Sequence, residues 1–191
     1  LIRAEILEDM ADRSDKPLIA ELALAFSGED FATLAQEVCA QRGAFAKNLT
    51  EAELRGLFGL SPQETEASLL SGVFLGDEAA LFRRIVPLLR GGKATDQSTA
   101  DGLAAIDLSA PNLGTLAALE AVFIYGADTK QPNCAKTDRL PTKDCRPALG
   151  ADLDRLHDLM RRVETARPRR IALAAATRSA LMHRFATRFL P

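Results

Sequence analysis

Tryptophan is absent from these 191 residues, and Tyr125 is the one tyrosine. Strands draw on aromatic and β-branched side chains. A chain that fills its 47% apolar content mainly with Ala and Leu instead favours helix. Long apolar runs are also missing. No stretch of about 18 apolar residues exists, so nothing spans a membrane as a helix. The start, Leu1-Ile2-Arg3-Ala4-Glu5, has no basic region followed by an apolar one, which argues against a signal peptide. Cys39, Cys134 and Cys145 are odd in number and widely spaced. That excludes a disulfide framework and CxxC metal or redox spacing, and suits a reduced, cytoplasmic setting.

Catalytic signatures are equally scarce. Gly91-Gly92-Lys93-Ala94-Thr95 suggests a phosphate loop, but Pro87 stands where the first glycine belongs and Ala94 replaces the hydroxyl residue. A helix C-terminus explains the glycines better. His157 and His183 have no partner at i+4 that would share a metal; His157, beside Asp154 and Asp158, reads as a surface position. No GxSxG motif is present. The pairs Glu51/Glu53 and Glu64/Glu66 read as first-turn acids that complement a helix dipole. The expectation is therefore no catalytic residue, no metal and no cofactor in this segment.

Helix punctuation is abundant. Apolar residues recur helically over Ile2–Asp12. Pro17 opens a segment that Gly28 closes, and Asp30 caps one bearing Phe31, Leu34, Ala35 and Val38. Thr50–Glu53 and Ser61–Glu64 read as capping boxes. Asp77 opens a helix through Leu89 that Pro87 kinks or ends. Two further helices fall near Thr95–Leu108 and Pro111–Ile124. Segment 126–150 breaks the rhythm with Pro132, Pro141 and Pro147, and predicts a long basic loop or short hairpin. Helical spacing returns from Asp152 to Leu190, as one helix or as two around Pro168. No internal repeat is visible. The expected fold is all-α: an irregular bundle of about eight to ten helices over 1–191, a single domain with an acidic body (1–125), a basic loop (126–150) and an Arg-rich C-terminal helix or pair (151–190). Both ends are already in helical rhythm, as expected of a piece of a larger chain.

The net charge of −2 hides an asymmetry. Residues 1–129 carry 10 Lys+Arg and 20 Asp+Glu, a net of −10; residues 130–191 carry 14 and 6, a net of +8. Such a split points to a polyanion-binding end. Its candidates are Lys130, Lys136, Arg139, Lys143 and Arg146 on the loop, then Arg162, Arg169 and Arg170 on the last helix. Each would contact a backbone phosphate, adding sequence-independent, salt-sensitive affinity. A base-stacking platform is poorly served by Tyr125 alone. A protein-interaction module is the competing reading, with the acidic body docking a partner.

Several patterns, in order, carry a resemblance: the short acidic helices with Asp30-Phe31, the Leu69–Phe74 stretch, the turn Leu88-Leu89-Arg90-Gly91-Gly92-Lys93-Ala94-Thr95-Asp96-Gln97, the loop with Lys136-Thr137 and Leu140-Pro141-Thr142-Lys143, and the Arg-rich helix ending Phe185-Ala186-Thr187-Arg188-Phe189-Leu190. Together they resemble the AddA subunit of the bacterial AddAB helicase-nuclease of double-strand break repair, in its alphaproteobacterial form, over essentially the whole chain. The resemblance implies a helical insertion, subdomain 1B, of a UvrD-like motor. It implies duplex DNA, the rest of the parent helicase and an AddB-type subunit as partners. ATP, magnesium, the Walker motifs and the nuclease residues would all belong to other parts of the parent.

Overall fold

The computed structural model describes residues 15–26, 31–47 and 49–190. Among these residues there are nine α-helices and no strand: α1 Lys16–Ala25, α2 Phe31–Ala40, α3 Glu51–Leu57, α4 Glu66–Val73, α5 Glu78–Arg90, α6 Ala94–Ala104, α7 Leu113–Phe123, α8 Arg146–Leu149 and α9 Asp152–Phe189. A 3₁₀ turn covers Arg42–Phe45. The fold is all-α, as composition and periodicity indicate. None of these helices is long and apolar enough to cross a membrane. The expected helix over Ile2–Asp12, the Gly28 stop and the Asp30 cap lie outside the described residues.

Side-chain caps explain three of the helix starts. Thr50 accepts the Glu53 N–H at 3.3 Å, and Glu53 Oε2 accepts the Thr50 N–H at 2.8 Å, which is the expected capping box. The next box is displaced. Thr65, not Ser61, caps α4, by accepting the Ser68 N–H at 3.1 Å. Glu64 instead faces Arg169 at 2.7 Å. Asn112 caps α7 by accepting the N–H groups of Gly114 and Thr115, so that helix starts after Pro111. Pro87 and Pro168 both sit inside helices. Each removes one backbone donor without ending its helix, and the C-terminal segment is one helix.

Contacts divide the chain into two compact units, one of residues 1–62 and 172–191, the other of residues 63–171. The division does not follow the charge boundary, and α9 contributes to both. In the first unit, Leu18 and Leu22 of α1, Leu34 and Val38 of α2, and Leu181, Phe185 and Phe189 of α9 form one apolar core. In the second, Leu81, Ile85 and Leu89 of α5, Leu103 of α6, Leu116, Leu119 and Phe123 of α7, and Leu156, Met160 and Val163 of α9 form another. Each fully buried side chain of this kind contributes about 1.5–3 kcal/mol. Gly92 owes its identity to a close approach: a Cβ there would lie 2.6 Å from Asp96 Oδ2.

Candidate nucleic-acid interface

The basic segment after α7 is pinned at many points. Ile124 and Ala135 form an isolated antiparallel bridge, a single pair without strands on either side. Tyr125 N–H donates to Cys134 O at 2.9 Å, and Lys136 N–H to Phe123 O at 2.8 Å. Asn133 takes a left-handed φ of 65°, a conformation that asparagine tolerates better than most residues, and its side chain accepts from Arg167. Tyr125 OH donates to Asp138 at 2.9 Å. Ala135, Leu140, Cys145 and Leu149 bury their side chains in the core below.

Asp96 is the central fastener. Fully buried, it accepts the Thr142 N–H at 2.8 Å, the Thr142 hydroxyl at 2.5 Å and the Lys93 N–H at 3.2 Å. It thereby ties the turn between α5 and α6 to the basic segment 46 residues later. An ion pair between Lys93 and Asp144, 2.5 Å long and exposed, spans the same two segments; it raises the lysine's pKa and lowers the aspartate's. His157, expected at the surface, is half-buried, with Nε2 3.0 Å from Leu140 O.

Against this frame the eight candidate cations separate. Arg146 gives its guanidinium to three carbonyls, Pro141 O at 3.1 Å, Thr137 O at 3.1 Å and Asp138 O at 2.7 Å. Arg162 donates to Val73 O and to Glu78 Oε1 at 3.1 Å, and pairs with Asp158 at 3.0 Å. Arg170 forms a two-pronged contact with Glu120, at 2.6 and 2.8 Å. Arg169 faces Glu64. Lys136 is half-buried and donates to Val122 O at 2.8 Å; burial, then the nearby Arg139 charge, lowers its pKa. Lys130, Arg139 and Lys143 are exposed, with no hydrogen bond or ion pair from their side chains among the described residues. Three of the eight, Lys130, Arg139 and Lys143, thus have no internal side-chain partner among the described residues. The helix candidates Arg162 and Arg170, and Arg146 of the loop, fasten the fold internally.

The same holds for most of the Arg-rich face of α9. Arg167 Nε lies 3.3 Å from Glu120 Oε2, near enough to pair but not aligned for a hydrogen bond. In the other unit Arg184 meets Glu21 at 3.0 Å, Arg188 meets Asp15 at 3.7 Å, and Arg178 lies 5.6 Å over the Phe26 ring. Arg161 is exposed and without such a partner among the described residues. The residues that spend these cations, buried Glu78 and Glu120, were not legible as site residues. Burial alone would raise the Glu78 pKa, but backbone N–H groups, among them those of Leu75 and Gly76, with Arg162, hold it below the usual value.

No group of three His, Cys, Asp or Glu side chains among the described residues is placed to hold a metal. No known protein family, characterised protein or solved structure matches this chain.

Proposed function

We propose that this chain is an accessory helical subdomain that contacts duplex DNA through backbone phosphates. The observation that carries the reading is the exposed trio Lys130, Arg139 and Lys143, unpaired among the described residues, on a segment fastened by Asp96, Arg146 and Arg167. A pinned loop presents its charges without first losing much conformational entropy. The charge split and the ordered likeness to AddA support the wider reading. In it the segment belongs to an ATP-dependent, magnesium-using helicase-nuclease of double-strand break repair in the cytoplasm, next to the rest of that parent and an AddB-type subunit, with catalysis placed outside this segment.

The test is a titration of the chain with labelled duplex over a series of salt concentrations. Replacing Lys130, Arg139 and Lys143 together by glutamine should lower the slope of log affinity against log salt by about 2.7, at about 0.9 per phosphate contact. A chain that binds no duplex at low salt, or a triple variant with an unchanged slope, would sink the reading.

A second reading, a module that docks a protein partner, draws on one specific feature. An apolar groove of 490 Å³ runs between α5 and α6, lined by Phe82, Val86, Leu103, Ile106 and Leu108. The half-buried Val86, Ile106 and Leu108 leave some apolar surface open along it, which suits a protein contact. A chain that ignores duplex but forms a stable complex with the rest of its parent would favour this second reading.

A further inference from the structure

A cleft of 640 Å³ lies between α6 and the turn that follows the Ile124–Ala135 bridge. One wall is the face of α6 that carries Thr95 and Ser98, three residues apart and so on one side of the helix. The other wall carries Lys136 and Arg139. Among the described residues, no carboxylate lines the cleft. The four that adjoin lining residues in sequence are already engaged: Asp96 accepts from Thr142, Asp101 pairs with Arg90, Glu120 pairs with Arg170, and Asp138 accepts from Tyr125.

Two like charges thus share one cleft with no counter-ion lining it among the described residues. Their mutual repulsion is visible in the lowered pKa of Lys136, for which burial is the larger cause and Arg139 the second. The Lys136 ammonium has three donors, and Val122 O uses one. The Arg139 guanidinium has five, and none has a partner among the described residues. The hydroxyls of Thr95 and Ser98 likewise have no hydrogen-bond partner there, whereas the neighbouring Thr99 hydroxyl is spent on Thr95 O at 2.9 Å. The cleft therefore offers cationic and hydroxyl donors around an open space. That is the donor set of an oxyanion with several acceptor atoms.

We infer that this cleft seats one phosphate group of a nucleic-acid backbone, with Arg139 and Lys136 supplying the charge and Thr95 and Ser98 the neutral donors. The assignment rests on the reading of the chain as a DNA-contacting subdomain, and it names where one strand is gripped. Lys136 has two tasks, because the bond to Val122 O fixes its ammonium at the cleft while its remaining protons point to a ligand. Arg139 shares that wall, has no internal partner among the described residues, and is the residue that can be changed without touching the frame.

The experiment uses isotope-labelled full chain in three forms: unchanged, Arg139→Gln and Ser98→Ala. Inorganic phosphate is the first probe, read by amide shifts; the second is duplex DNA, read by affinity at several salt concentrations. The expected result is phosphate-induced shifts at Thr95–Thr99 and Lys136–Arg139 that vanish in R139Q. For duplex, R139Q should lower the salt slope by about 0.9, while S98A should weaken binding at every salt concentration without changing the slope. If duplex binds and R139Q leaves the slope unchanged, the cleft assignment is overturned and the DNA reading survives. If phosphate shifts the cleft amides but no duplex binds, the DNA reading falls, and with it the assignment to a backbone phosphate, leaving a site for a free anion.

Discussion

Two sets of cations in the second unit have the same formal charge and opposite fates. On α9, Arg162, Arg167 and Arg170 reach the buried carboxylates of Glu78 and Glu120. On the loop, Lys130, Arg139 and Lys143 reach solvent. The difference lies in helix periodicity. Arg167 and Arg170 stand four and seven residues after Val163, on the stripe that also holds Leu156, Met160 and Val163. A cation on a core-facing stripe must bring its counter-ion with it, because an unpaired buried charge is costly. Loop cations have no such obligation. Charge density along a sequence is therefore a poor guide to a binding face unless it is first sorted by which side of a helix each charge occupies.

The strongest way to break this comparison is to remove the shared carboxylate. Glu120 is 6% exposed and faces both Arg167 and Arg170. Glu120→Ala should lower stability by about 3 kcal/mol, the low end for breaking a buried pair, since both arginines keep some contact with water. Urea unfolding of the variant measures it. A loss no larger than that of a surface change would mean these arginines are not structural.

Next in size is the fastener beneath the loop. Asp96→Ala removes the acceptor for Thr142 and for the Lys93 N–H, leaving part-buried donors unmatched. The expected cost is about 2 kcal/mol, with faster amide exchange at Thr142. A loop that keeps slow exchange in this variant would show that its other fasteners, Arg146 and Arg167 among them, suffice to hold it.

Acid should separate the two sets by another route. Glu78 has a folded pKa below its ordinary value of 4.5. Its contribution is therefore fully present above the unfolded pKa and is lost as pH falls through the lower folded one. Stability should drop below about pH 4.5, and Glu78→Gln should flatten that drop while lowering stability at neutral pH. Denaturation midpoints at pH 7 and pH 3.5 for both proteins give the answer; parallel acid losses would remove Glu78 from the account.

How much of this was legible follows the range of each interaction. The helical class, the Thr50 capping box and the glycine stop at 91–92 depend on neighbours within four residues, and the sequence displays them. The start of α4 is ambiguous in the sequence because Ser61–Glu64 and Thr65–Ser68 both have the spacing of a capping box. What separates them is tertiary: Glu64 faces Arg169, and Glu66 Oε1 accepts the Leu113 N–H at 3.2 Å. The spent arginines were hidden for the same reason, since Arg162 and Glu78 are 84 positions apart. Arg167 and Arg170 did leave a trace in their register with Val163. Thr95 and Ser98 left none as binding groups, because only the fold brings the loop cations opposite them.

The smallest expected effect is also the sharpest discriminator. Neutralising Lys130, Arg139 and Lys143 together should leave the urea midpoint where it was, because none of the three has an internal partner among the described residues and changes away from buried features are close to neutral. Neutralising Arg162 or Arg170 singly, as glutamine, should shift the midpoint clearly, since each leaves a buried carboxylate under-satisfied. The two results must be read together with the salt dependence of duplex affinity. Loop variants should change binding without stability, and helix variants stability first. A helix variant that kept its midpoint and lost only salt-dependent affinity would transfer the interface from the loop to α9. A loop triple that unfolded early would show that its charges, too, are spent on holding the chain together.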